Sequence, residues 1–199
     1  ITIGMTQEGN VDLADLERQL VAHASFPLRI GAFSAASNVT GRLVDTSAIN
    51  VLLHRHGALA FWDFATAGPY VKIDMNPSSL DSENYMDAVF LSPHKFLGGP
   101  GSPGLFIIKK RLIDPNRALE PGGGTVFFVR DDAQRYLKRA EERLEGGTPD
   151  ILGSIRAALA FRLKDAIGDE WIMKREARLR QLGLERLSKV REIILLNPD

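Results

Sequence analysis

Apolar residues along the first 110 positions follow two patterns. Residues 28–34 (LRIGAFS), 58–62 (ALAFW), 88–91 (AVFL) and 105–108 (LFII) are short, mostly apolar runs with no alternation. That is the expectation for strands buried on both faces of a parallel sheet. Between the runs the spacing becomes helical. Leu13, Leu16, Leu20 and Val21 share one face behind Asp12, a residue suited to cap a helix N-terminus. A short helix over residues 45–56 opens with Asp45 and Thr46, carries Ile49, Val51, Leu52 and Leu53, and ends at Gly57. This alternation predicts an α/β core of three layers, α/β/α, around a mostly parallel sheet. Ile1-Thr2-Ile3 reads as one more short strand and residues 193–196 as another strand-like piece. Such ends suggest a part cut from a longer protein, although a trimmed chain would look the same.

Past Gly122-Gly123-Gly124 the pattern changes. Residues 131–145 are heavily charged, and Gly146-Gly147-Thr148-Pro149 interrupts them. From Pro149, a residue favoured at the first helical position, Ile151, Ile155, Leu159 and Leu163 mark a long helix to Ala166. Gly168 breaks it, and a basic helix follows over residues 170–187.

Composition narrows the function classes. The 199 residues are 44% hydrophobic and 25% charged, the balance of a soluble globular protein. Lys and Arg total 25, as do Asp and Glu, so no global field attracts nucleic acid or an acidic membrane. Cysteine is absent, which excludes disulfides, thiolate-ligated metals and a cysteine nucleophile within this stretch. No apolar run is long enough to cross a bilayer and no basic-then-apolar leader opens the sequence, so cytoplasmic residence is expected. His54 and His56 have the spacing of a metal pair, but at the end of an exposed helix they are expected to be solvated, and no metal site is expected. Arg175, Arg178, Arg180 and Arg186 read as a solvated helix face without the aromatics that nucleic-acid binding calls for.

Three polar groups lie just beyond the ends of three apolar runs: Asn38, Asp63 and Lys95. Open α/β sheets bind ligands outside the carboxyl ends of their strands. Asp63 and Lys95 are 32 positions apart, about one strand–crossover–strand unit. An aspartate placed after four apolar residues is costly to bury unless a cation meets it. Taken singly, Lys95 reads as a surface lysine, Asp63 and Ser92 as turn or cap residues, and Asn38 as a turn former with Gly41. The glycines from Gly98 to Gly104 invite a nucleotide-phosphate reading, but Lys95 precedes them instead of following as a phosphate-loop lysine does.

Together the segments FSAASNVTG (33–41), ALAFWDFATAGPY (58–70), SPHKFLGGPGSPGLFI (92–107), EPGGGTV (120–126) and EGGTPDI (145–151) resemble the class V aminotransferase family, which includes cysteine desulfurases, selenocysteine lyases and kynureninase-like enzymes. The resemblance implies a pyridoxal 5'-phosphate (PLP) enzyme of fold type I. Residues 1–167 would be part of its PLP-binding large domain and residues 168–199 the start of the C-terminal small domain. It implies that Lys95 holds the cofactor as a Schiff base, exchanges it for an amino-acid substrate through an external aldimine, and moves the substrate α-proton. Asp63 would pair with the pyridine nitrogen, Ala65 pack on a ring face, and His94 and Ser92 donate to the phosphate. Asn38 would reach either the phenolic oxygen or the substrate carboxylate. Thr125, in the Gly122–Thr125 loop, would touch the phosphate of a neighbouring subunit, implying a homodimer. Two positions depart from the desulfurase pattern. Thr66 stands where a glutamine usually contacts the phenolic oxygen, and Pro93 where glycine is commoner. The upstream phosphate loop, the ring-stacking residue, the carboxylate-binding arginine and the loop cysteine have no counterpart in this stretch, so it is expected to be inactive alone. The chemistry-free alternative is a scaffold or subunit that retains the fold.

Overall fold

In a computed structural model, residues 1–78 and 81–195 are described. Asp12 opens α1 (Leu13–Ala22) by accepting a hydrogen bond from Asp15 N, and Asp45 opens α2 (Thr46–Arg55) in the same way from Ala48 N. Each cap satisfies an amide that the first helical turn leaves without a partner. Gly57, at φ +69°, ends α2 and turns the chain into a strand. Four strands form one sheet: β1 (Ile30–Ser34), β2 (Leu59–Asp63), β3 (Ala88–Leu91) and β4 (Leu105–Ile108). They lie in that order, the first three parallel and β4 antiparallel to β3. The α/β class with a mostly parallel sheet is as expected, and the bounds of β3 and β4 coincide with the apolar runs.

The two faces of this sheet differ. Phe33, Trp62 and Val89 stand in register on one face and join Leu16 and Leu20 of α1 and Ile49 and Leu53 of α2 in the core. Trp62 is fully buried, and its indole N–H is satisfied by Asn50 Oδ1 at 2.7 Å. Leu53 lies so close over β1 that a Cβ on Gly31 would fall 2.5 Å from it, which explains a glycine inside a strand. On the opposite face Ser34, Asp63, Phe90 and Phe106 stand in register. Phe90 and Phe106 stack at 4.7 Å and remain exposed.

Beyond the sheet, the stretch after Gly124 folds into a hairpin, β5 (Val126–Arg130) with β6 (Ala133–Tyr136), and a short helix α3 (Ala140–Leu144). Two long helices follow, α4 (Ile151–Ile167) and α5 (Asp169–Leu187). Gly168 separates them at φ +90°, the break that was expected. α4 begins two residues later than Pro149 suggests, because Asp150 is the cap, accepting from Gly153 N at 2.8 Å.

Two further expectations are corrected. Residues 1–3 form no strand. Only a lone bridge joins Met5 to Val11, since β1 pairs with β2 alone and offers these residues no ladder. The run 193–196 has no regular structure through Leu195, and Leu196 lies outside the described residues. His54 is not solvated: its side chain is 4% exposed, with Nε2 2.9 Å from Asp87 Oδ2 and Nδ1 2.6 Å from Glu83 O. The chain entering β3 folds back over the end of α2, stacking Tyr85 on the imidazole at 3.8 Å. His56 keeps partial exposure, 3.6 Å from Glu17.

Candidate active site

The carboxyl ends of β1, β2 and β3 form one rim. Ser34 is in register with Asp63 and Asp63 with Phe90, and Phe64 N donates to Phe90 O at 2.9 Å. Parallel strands lie about 4.8 Å apart, so Asp63 and the chain leaving β3 are immediate neighbours. Asp63 is exposed at this edge. Its Oδ1 accepts from Ala65 N at 2.7 Å, which folds the chain back and sets Ala65 and Thr66 beside it, both partly buried.

On β3, Ser92 leads into a 3-10 turn, Pro93–Lys95, closed by Lys95 N donating to Ser92 O at 2.9 Å. Pro93 is buried, whereas His94 and Lys95 are exposed. The glycines that follow serve this turn. A Cβ on Gly99 would lie 1.9 Å from Pro93 O, and Gly98 and Gly101 take φ of +78° and +84°. The glycine-rich segment is therefore folded against the back of the Lys95 turn, which accounts for its composition without a phosphate cradle.

Asn38 sits exposed in the turn after β1. Turn chemistry there belongs to its neighbours. Ser37 Oγ accepts from Val39 N and Thr40 N, both at 3.2 Å, and Gly41 takes φ +72°. The Asn38 amide is thus not what holds the turn. Thr125 lies elsewhere. It is fully buried, its hydroxyl donates to Gly122 O at 2.7 Å, and Gly147 N donates to Gly123 O at 2.7 Å to tie the two glycine loops together. No hydrogen bond, ion pair or ring contact among the described residues links this loop to the rim bearing Asp63 and Lys95. The structure therefore gathers Asp63, Ala65, Thr66, Ser92, His94 and Lys95, sets Asn38 on the next strand end, and leaves Thr125 apart.

Sequence reasoning overlooked the residues behind the rim. Phe96, next to Lys95, is buried against Gly68 and Phe161. An aromatic directly after an exposed lysine was the available signal. As a test of fit for an aromatic aldehyde bearing a phosphate, the rim offers an amine, a carboxylate and two hydrogen-bonding side chains, Ser92 and His94. Neither Lys95 Nζ nor the His94 ring has a hydrogen-bond partner among the described residues. That donor set suits the group.

A family model described as aminotransferase class-V matches residues 1–199. A probable cysteine desulfurase of Halalkalibacterium halodurans is 30% identical over 195 residues, covering 98% of this chain and 45% of that protein. Among solved structures, a cysteine desulfurase of Thermococcus onnurineus in its apo form superposes with a TM-score of 0.75 at 24% identity, over 94% of this chain and 45% of that one. The pyridoxamine-pyruvate aminotransferase of Mesorhizobium loti gives a TM-score of 0.60 at 18% identity, over 89% of this chain and 44% of that one. The chain thus spans a little under half the length of the relatives it matches.

Proposed function

The chain belongs to the class-V aminotransferase family, and from that premise we propose that it is the cofactor-bearing part of a PLP-dependent enzyme acting on an amino acid. What supports this most is one observation: neighbouring parallel strands, in register at Asp63 and Phe90, end at one exposed rim that carries Asp63 and the turn of Lys95.

In this reading Lys95 Nζ would hold the cofactor by its aldehyde and would be placed to carry the substrate α-proton. Asp63 would accept from the protonated pyridine nitrogen, Ala65 would fit a ring face, and Ser92 and His94 would donate to the phosphate. Thr66 would contact the phenolic oxygen, and Asn38 either that oxygen or the substrate carboxylate. When bound, PLP supplies an electron sink for the substrate carbanion; the protein supplies orientation and charge. The activity is of the cysteine desulfurase or selenocysteine lyase kind or a transamination. Thr66 in place of the usual glutamine weighs against the desulfurase version, while the similarity to a probable cysteine desulfurase weighs for it.

Further parts of the proposal concern assembly. The β5–β6 hairpin exposes Phe127, Phe128 and Val129 beside the loop of Gly122–Thr125, as an interface with a second copy would require. A homodimer in which this loop serves the neighbour's phosphate accounts for that apolar surface; Thr125, buried with its hydroxyl donating to Gly122 O, would shape the loop from within. Gly168 marks the passage from large domain (1–167) to small domain (168–199), and α5 beyond it buries no residue. None of the described helices is long and apolar enough to cross a membrane; residence in the cytoplasm, without a nucleic-acid or membrane partner, is a further part of the proposal.

The test is absorbance of the full-length protein mixed with PLP. The expected result is a near-visible band, shifted from that of free cofactor, which Lys95→Ala abolishes. No band with the wild type would favour the scaffold. Stabilisation by a nucleotide in place of PLP would favour a nucleotide-binding module.

A further inference from the structure

Behind the rim, one largely buried side chain reaches three parts of the fold. Phe96 follows Lys95, and its ring lies against Gly68, where an added Cβ would sit 3.2 Å from the ring and 2.7 Å from Phe64 O. The ring also meets Phe161 of α4, centroids 4.7 Å apart. One turn further along α4, Lys164 brings its ammonium to 5.8 Å from the Phe96 centroid. The same ammonium donates to Val71 O at 2.5 Å and pairs with Asp169 at 2.9 Å. Its side chain is 12% exposed. Val71 ends the turn that follows Asp63, with Val71 N donating to Ala67 O at 3.1 Å. Asp169 is the first residue of α5, directly past the Gly168 break.

A lysine is rarely buried without partners, because its charge must be repaid by hydrogen bonds and opposite charge. Here the partners are a backbone carbonyl behind Asp63, the aromatic ring beside Lys95, and a carboxylate across the α4–α5 joint. We propose that Lys164 is a positioning residue that fixes the Lys95 turn against the turn behind Asp63 and ties their spacing to the orientation of α5. This rests on the reading of Lys95 and Asp63 as the two ends of a cofactor site. A methionine at position 164 has similar length but leaves Val71 O without its donor and Asp169 without its cation. A glutamine restores only a donor. Asp169→Asn keeps the bond to Val71 and removes the ion pair, so it separates the joint from the turn.

Hydrogen exchange and absorbance of the full-length protein with PLP test the proposal. In Lys164→Met, exchange at residues 65–71 and 95–99 is expected to rise together by about tenfold, the effect of losing one charge-assisted hydrogen bond. The pH midpoint of the cofactor band should move with it. Lys164→Gln is expected to recover part of both changes, and Asp169→Asn to produce a smaller shift in the same direction. Arg156→Met, which removes a neighbouring bond from α4 to Pro100 O at 3.2 Å, serves as control and should leave the band unmoved. A wild-type protein without a band sinks the Lys95 reading and this proposal with it. A wild-type band whose midpoint is the same in Lys164→Met, or moves equally in Arg156→Met, overturns the positioning role alone.

Discussion

The two ends of the central sheet hold charge in opposite ways. At the end where β3 begins, Asp87 is completely buried and fully engaged. It accepts from Ala60 N at 2.9 Å, from His54 Nε2 at 2.9 Å and from Arg111, while Tyr85 stacks over the imidazole. The Tyr85 hydroxyl is correspondingly pushed above its ordinary pKa, first by burial and then by the Asp87 charge. At the other end Asp63 and Lys95 are exposed, one carboxylate oxygen serving a local turn and the amine serving nothing among the described residues. The charge at the first end is paired and buried; the charge at the second stands open at a rim, as the proposed cofactor site requires. The difference separates an aspartate committed to the fold from one left open at the sheet edge, without reference to any relative.

The comparison breaks most visibly at the buried end. Asp87→Ala strands the His54 ring and the Arg111 guanidinium, and is expected to cost roughly 3–5 kcal/mol of folding stability. Urea unfolding should show a large drop in midpoint, and a loss under about 1 kcal/mol would show that the network is not what holds β3 to α2. Asp63→Asn sharpens the contrast. It keeps an oxygen for Ala65 N, so stability should change by no more than about 0.5 kcal/mol, while retention of PLP by the full-length protein on dialysis falls sharply. Equal retention would remove Asp63 from the site.

Much of this is legible in the sequence, for identifiable reasons. Residues 88–91 and 105–108 are apolar throughout and bounded by polar or glycine-rich sequence, so the strand limits coincide with the runs, but the burial on both faces expected of them is not met, since Phe90, Phe106 and Ile107 are exposed. Asp12 and Asp45 stand just ahead of helical spacing, and cap chemistry is local. The rim followed from strand ends alone. What was hidden depended on contacts distant in sequence. His54 is buried because residues 83–87 close over it, and nothing within α2 announces that. Residues 1–3 have strand composition but lack a neighbouring ladder. Lys164 reaches Val71 across 93 positions, and nothing in the spacing along the helix marks it.

The smallest expected effect lies at the chain start. Asp15 Oδ2 accepts from Gly4 N at 2.8 Å, and this bond, more than Gln19 or Arg18, holds the Asp15 carboxyl below its usual range. A depressed carboxyl contributes stability above its unfolded pKa, near about 3.9, and loses it as pH falls through the lower folded value. On acidification the Gly4 amide should therefore lose protection before the sheet does, as hydrogen exchange at stepped pH would show. Simultaneous loss in both places would assign Asp15 no separate role.

The central claim is that Lys95 is the amine that takes the cofactor. Reducing the PLP-loaded full-length protein with borohydride, digesting it and locating the pyridoxyl group by mass spectrometry tests this directly. The account predicts the label on Lys95, in the peptide that also carries Ser92 and His94. A label on Lys164, or on any lysine other than Lys95, would contradict it.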